Sequence, residues 1–217
     1  MQLIDLSHTI EDGLVTYKGL PPPVICDFLS REASKQHYAE GTTFQIGRIE
    51  LCSNTGTYLD SPWHRFAEGK DLSALDLASV AHLDGVKVQV EEGRTVIDVD
   101  VFRDVDVKGR AVLVETGWSR HWNTETYYEG HPFLTEAAAL HLRDAGVRLV
   151  GIDSYNIDDV SGKERPVHTT LLGAEILIVE HMTNLAQVPA GDFRFYAVPV
   201  KIKGMGTFPV RAFVEVD

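Results

Sequence analysis

A mixed, β-rich α/β fold is what this 217-residue chain predicts, and three observations carry that reading. Short runs of β-branched and apolar residues recur from one end of the chain to the other. Several are nearly all apolar instead of alternating, as in Ile176-Leu177-Ile178-Val179, which is the pattern of strands covered on both faces. One well-marked helix runs directly into a further apolar run, making an αβ unit. No repeat, low-complexity tract or linker composition interrupts the pattern, so residues 1–217 are expected to form one domain.

In chain order, Leu3 to Ile10 reads as the first strand. Gly19-Leu20-Pro21-Pro22-Pro23 follows as a rigid extended segment, because three prolines forbid a helix or a central strand. Phe44 to Cys52 reads as a strand, Ser73 to Val80 as a short helix, and Val86 to Val90 and Ala111 to Glu115 as strands. The helix Glu136 to Ala145 has Thr135 to cap its first amides and Gly146 for the left-handed position after its end. Val147 to Ile152, Glu175 to Val179, Phe193 to Val200 and Val210 to Val216 complete the strand list.

Twenty basic against thirty-two acidic side chains leave a net charge of −12. That balance argues against nucleic acid, whose binders present a basic face, and against an anionic membrane surface. Small anionic substrates stay open, since an acidic protein can hold a local basic pocket. Hydrophobic content of 44% and charged content of 24% are those of a globular protein. There is no run of about eighteen apolar residues for a membrane helix, and the first residues lack the basic-then-apolar order of a signal peptide. Cys26 and Cys52 are too few for a disulfide scaffold and not spaced as a zinc pair, so reduced core thiols in a cytoplasmic protein are expected.

Several catalytic devices are missing from the sequence. There is no Gly-x-Ser-x-Gly elbow, no His-Glu-x-x-His helix and no phosphate loop ending in Gly-Lys-Ser/Thr. Gly204-Met205-Gly206 lacks the third glycine and following helix of a dinucleotide site and reads as a turn. What remains is one dense stretch, Ser53-Asn54-Thr55-Gly56-Thr57-Tyr58-Leu59-Asp60-Ser61-Pro62-Trp63-His64.

This stretch resembles the His-x-Gly-Thr-His-x-Asp-x-Pro-x-His signature of the cyclase family, to which the bacterial kynurenine formamidases belong. Gly56, Thr57, Asp60, Pro62 and His64 hold their places, while Asn54 and Tyr58 stand where the signature carries histidines. The resemblance extends along the chain. It includes Asp5-Leu6-Ser7-His8-Thr9-Ile10, Tyr17 and Gly19, Thr116-Gly117-Trp118 and Gly151-Ile152-Asp153-Ser154. It continues through His168 with Leu171-Leu172, Glu180 with Asn184-Leu185, and Phe208-Pro209-Val210-Arg211-Ala212.

The resemblance implies a swivelling β/β/α-like fold, a partly curled sheet with a few flanking helices, assembled as a homodimer or higher homo-oligomer. It implies Asp60, His168 and Glu180 as ligands of a divalent metal and His64 as catalytic acid/base. A metal lowers the pKa of bound water from about 15.7 to about 7 and polarises a carbonyl, which suits hydrolysis of a small amide, formamide or lactone-like substrate. Arylformamidase-like chemistry of this kind belongs to tryptophan catabolism. With Asn54 and Tyr58 in place of imidazoles, the resemblance supports a single ion, manganese, magnesium or zinc, or no metal at all. On an extended segment Tyr58 faces the same side as Asp60 and should line the pocket.

Two functions from different classes follow: a metal-assisted amidohydrolase, and a metal-free small-molecule binder or non-hydrolytic acid/base enzyme using His64 and Tyr58. Each site residue has a plainer alternative. Asp60 is a turn former, His64 a hydrogen-bonded structural histidine, His168 a helix cap or loop residue, and Glu180 the solvent-facing end of an apolar strand. Tyr17, Trp63, Phe66 and Trp118 are candidates for an aromatic substrate pocket, with core packing as the alternative. Arg65 suits a substrate carboxylate or a surface ion pair. His181 reads as surface or as a residue behind the site, and His8, His37, His82, His121, His131 and His141 show no ligand spacing.

Overall fold

The computed structural model describes residues 1–216. In chain order its strands and α-helices are β1 (Gln2–Asp5), β2 (Val24–Leu29), α1 (Arg31–Ser34), β3 (Ile46–Glu50), β4 (Tyr58–Asp60), β5 (Leu83–Gln89), β6 (Val96–Ile97), β7 (Ala111–Glu115), β8 (Phe133–Leu134), α2 (Glu136–Ala145), β9 (Leu149–Ile152), α3 (Pro166–Gly173), β10 (Leu177–Glu180), β11 (Phe193–Tyr196), β12 (Thr207–Pro209) and β13 (Phe213–Val216). One nine-stranded sheet dominates, in the order β1-β13-β11-β5-β7-β9-β10-β4-β12. Its heart, β5-β7-β9-β10, is parallel, and both wings are antiparallel.

The continuous apolar runs fall where their composition requires. Every residue of β7, β9 and β10 is buried. Alternate side chains enter two cores: Leu113, Leu149, Leu177 and Val179 pack on one face, while Val112, Val150, Ile152 and Ile178 meet α2 and α3 on the other. Helix α2 has the bounds and caps read from sequence. Thr135 Oγ1 accepts the Ala138 N–H at 3.1 Å, and Gly146 is left-handed at φ 81°.

Several expectations are corrected. Ser73–Val80 is not a helix but a single 3-10 turn at Leu77–Ser79. The Asp71 carboxylate takes the Ser73 and Ala74 N–H groups, and the Ser79 hydroxyl donates to the Asp76 carbonyl, so local side chains compete with helical hydrogen bonding. The first strand stops at Asp5, beyond which Ser7 makes one isolated bridge to Met182. The strands expected at 193–200 and 210–216 shorten to β11 and β13. The sequence reading has no strand at β2, β6, β8 or β12 and no helix at α1 or α3.

β2 and β3 form a two-stranded hairpin outside the main sheet. Almost all of it faces solvent, including Ile25, Phe28, Ile46 and Ile49. Cys26 lies on this hairpin and is exposed, and Cys52 is half-buried, so neither is a core thiol, although both are free. Among the described residues no helix is long and apolar enough to cross a membrane.

Candidate active site

Strand register gathers the chemistry. β4 lies between β10 and β12, with Asp60 opposite Ile178 and Thr207, and Tyr58 opposite Glu180 and Pro209. Directly paired residues share a face, and so do residues two apart on a strand, so Tyr58, Asp60, Glu180 and Thr207 project together. Ile178, on that face, packs with Val167, Leu171 and Leu172 of α3. The helix therefore covers this face and delivers His168 from its first turn.

Asp158 sets the position of α3. Its carboxylate accepts the N–H groups of Val167 at 2.7 Å and His168 at 3.0 Å, while Pro166 at the helix start has no N–H to satisfy. The same carboxylate takes His168 Nδ1–H at 2.6 Å. That bond leaves Nε2 facing Asp60 Oδ2 at 3.7 Å and Glu180 Oε1 at 3.8 Å. Both are ion-pair distances too long for a hydrogen bond. A histidine fixed by a carboxylate on one nitrogen, with the other turned to further oxygens, is the arrangement of metal-ligating histidines.

Asp60 is fully buried. Thr207 Oγ1 donates to its Oδ1, but its Oδ2 has no hydrogen-bond partner among the described residues. A buried carboxylate oxygen without a donor is costly, and a cation in front of it removes the cost. Glu180 differs: Oε2 accepts the Tyr58 hydroxyl at 2.7 Å and Oε1 the Ile157 N–H at 2.6 Å.

The charges agree with a cation-seeking cluster. Burial opposes the His168 imidazolium, yet Glu180, Asp158 and Asp60 outweigh it and lift its pKa to about 10. Burial raises the Glu180 carboxyl to about 7, with His168 pulling it down and Asp60 pushing it up. Burial, reinforced by the Glu180 charge, holds the Tyr58 phenol well above its ordinary value, so Tyr58 is a protonated donor to Glu180 and not an anionic ligand. The donor atoms of Asp60, His64 and His168 lie within 4.8 Å of one another. The residues present thus fit a divalent ion through carboxylate oxygen and imidazole nitrogen.

His64 ends the 3-10 turn Pro62–His64, which is pressed against Gly206. A Cβ at Gly206 would sit 2.3 Å from the His64 nitrogen, so only glycine lets the turn approach this closely. Thr207 Oγ1 spends its hydrogen on Asp60 and therefore accepts from His64 Nδ1–H at 2.8 Å. In a neutral ring this leaves the lone pair on Nε2, and the His64 side chain is 36% exposed while Asp60, His168 and Glu180 are buried.

The structure thus brings Asp60, His64, His168, Glu180 and Tyr58 together. Tyr17 is half-buried nearby; its hydroxyl donates to the Tyr155 carbonyl at 3.3 Å, accepts from the Asn156 side chain, and its ring meets His181 edge-on. Other candidates bond elsewhere. Asn54 accepts from Ser53 Oγ, Arg65 donates to Thr169 Oγ1 and lies over the Phe66 ring, and Trp63 is 40% exposed. The surface reading of His181 is overturned, because it is fully buried with its ring against Tyr58 and Tyr127. Asp158, Thr207 and Tyr127 escaped the sequence reading. Asp158 reaches the start of α3 from a loop eight residues before Pro166, and Thr207 depends on strand register; neither has a local signature. A surface cleft of about 610 Å³ around His82, Asp84, Arg110 and Arg194 shares no residue with this cluster.

Comparison with known proteins places the chain in a family. The model of the Cyclase family, described as "Putative cyclase", matches residues 4–159. The kynurenine formamidase of Geobacillus thermodenitrificans is 31% identical over 96% of this chain and 95% of its own. A solved structure described as a predicted metal-dependent hydrolase from Bacillus stearothermophilus superposes with a TM-score of 0.78 at 26% identity, covering 98% of this chain and 97% of that one. Isatin hydrolase A from Ralstonia solanacearum shares the fold, with a TM-score of 0.82 at 20% identity, over 100% of this chain and 92% of its own. The chain belongs to the Cyclase family.

Proposed function

We propose that the protein is a hydrolase of small amides, formamides or lactone-like compounds, acting with one divalent ion held by Asp60, His168 and Glu180. The observation that carries this reading is the buried, unpartnered Asp60 Oδ2 facing His168 Nε2 at 3.7 Å. The relatives named kynurenine formamidase and isatin hydrolase act on such bonds, which supports the substrate class. When bound, a divalent ion supplies a Lewis acid for the substrate carbonyl and for the attacking water.

The chain's own part centres on His64. Its Nε2 lone pair takes the proton of the water as the oxygen attacks the carbonyl carbon. When the C–N bond breaks, Nε2–H returns that proton to the leaving amine. Thr207 keeps the ring in the required tautomer through Nδ1 and ties it to Asp60.

One observation favours a metal-free alternative: both Glu180 oxygens already accept hydrogen bonds, and His168 itself can carry the positive charge. Metal analysis of protein purified without chelators separates the two, and hydrolysis of N-formylkynurenine and isatin with added manganese or zinc tests the activity. No ion and no metal-stimulated hydrolysis would remove the hydrolase reading. We further propose one domain over residues 1–217, a cytoplasmic location, and self-association. The solvent-facing Phe28 and Ile49 on the β2–β3 hairpin support the last, since an isolated two-stranded hairpin is marginal without packing. Light scattering showing a monomer at micromolar concentration would exclude it.

A further inference from the structure

Behind Glu180 runs a second buried network. β10 ends at Glu180, and the next residue, His181, enters the left-handed region at φ 55°. Its fully buried imidazole is ringed by Tyr17, Tyr58, Trp122, Tyr127 and Tyr155. Two polar contacts are made there: Nδ1 to the Tyr127 hydroxyl at 2.8 Å, and Nε2 to the Tyr58 hydroxyl at 3.3 Å. Tyr58 in turn reaches Glu180 Oε2 at 2.7 Å.

The direction of these bonds follows from the carboxylate. As the carboxylate that a metal ligand must be, Glu180 can only accept, so the single Tyr58 hydrogen goes to Oε2. The contact between Tyr58 and His181 then needs a hydrogen on Nε2. A neutral imidazole with Nε2–H has a bare Nδ1, which the Tyr127 hydroxyl fills. Without the Tyr127 hydroxyl the hydrogen is free to move to Nδ1. Bare Nε2 would then compete with Glu180 for the Tyr58 hydrogen.

We infer that Tyr127 and His181 are positioning residues for Glu180: by fixing the His181 tautomer they aim the Tyr58 hydroxyl at Oε2 and hold Oε1 toward His168. The tyrosine that stands where the family signature has histidine thereby acts as a donor tied to a support of its own. This deepens the hydrolase reading and rests on it only for Glu180's use of an ion.

The test combines two readouts on the full chain and its variants Tyr127→Phe, Tyr58→Phe and the double change. Nitrogen-15 NMR of labelled histidines, recorded without metal, gives the His181 tautomer, and calorimetric titration with zinc chloride gives affinity. Circular dichroism verifies that each variant is folded. The parent should show hydrogen on Nε2 and a bare Nδ1, and Tyr127→Phe should raise the Nδ1-protonated population. Zinc affinity should fall about tenfold in Tyr127→Phe, the lower end for outer partners of a metal site. The double variant should bind no more weakly than Tyr58→Phe, because Tyr127 acts only through Tyr58. A parent with hydrogen on Nδ1 overturns the inference. So does Tyr127→Phe with parental tautomer and affinity, or a double variant whose losses multiply. If the parent binds no zinc, the ion reading falls, and the tautomers of parent and Tyr127→Phe decide the relay alone. If Tyr127→Phe does not fold, the parent's tautomer decides it.

Discussion

Asp60 and Glu180 are buried carboxylates on neighbouring strands, both within 4 Å of His168 Nε2, yet their surroundings are opposite. Glu180 has a donor on each oxygen, and the hydrogen bonds continue behind it through Tyr58 and His181 to Tyr127. Asp60 has a donor on one oxygen only, and its neighbour His64 opens to solvent. A fully satisfied buried network holds a geometry, whereas an unsatisfied atom stores a demand for a ligand. The difference divides the labour: Asp60 and His64 form the reactive side, and Glu180 stands on the rigid one.

The largest effect is expected on the reactive side. Asp60→Asn keeps the shape and removes the charge, and it should lower divalent-ion affinity by more than the about 10–100-fold typical of outer partners, with hydrolysis falling in step. Calorimetry and activity on the same preparation check this. An Asp60→Asn variant that binds as tightly as the parent would erase the contrast with Glu180.

Asp158→Ala should lower affinity by about 10–100-fold, since His168 loses the group that fixes its tautomer. It should also reduce stability by about 0.5–2 kcal/mol through loss of the helix cap, read by urea denaturation. The pH dependence has a definite sign. An ion must displace the proton that His168 holds up to about pH 10 and that Glu180 holds up to about 7. Affinity should therefore rise from pH 6 to pH 8, both pH values lying below about 10. A flat profile would mean that neither group binds the ion.

Much of this arrangement is legible in the amino-acid sequence. The parallel heart showed itself because β7, β9 and β10 are apolar up to the glutamates that end β7 and β10, and α2 because Thr135 and Gly146 mark its ends. Asp60 and His64 were visible inside one dense local motif. What stayed hidden depends on contacts between distant segments. Thr207 joins the site by strand register across 147 residues of chain, and His181 by a backbone reversal that no composition announces. The helix expected at 73–80 failed because Asp71 and Ser79 captured the backbone groups it needed.

On the rigid side the effects should be smaller. Tyr58→Phe leaves Glu180 one donor short and should cost about 1–3 kcal/mol of stability, with catalysis changed less than in Asp60→Asn. Thr207→Val should be smallest for ion binding, leaving affinity near the parent's. It should lower kcat about tenfold, because His64 loses the acceptor that sets its tautomer. If Thr207→Val instead abolishes ion binding, the Thr207 contacts with Asp60 and His64 hold the ion site itself and not only the tautomer of the base.

The most direct test is a crystal structure of the protein grown with manganese chloride, examined by anomalous diffraction at the manganese edge. The account requires one anomalous peak within about 2.0–2.6 Å of Asp60 Oδ2 and His168 Nε2, the range for oxygen and nitrogen ligands. A peak located elsewhere, or no peak with Asp60 Oδ2 bonded to a protein donor, would contradict it.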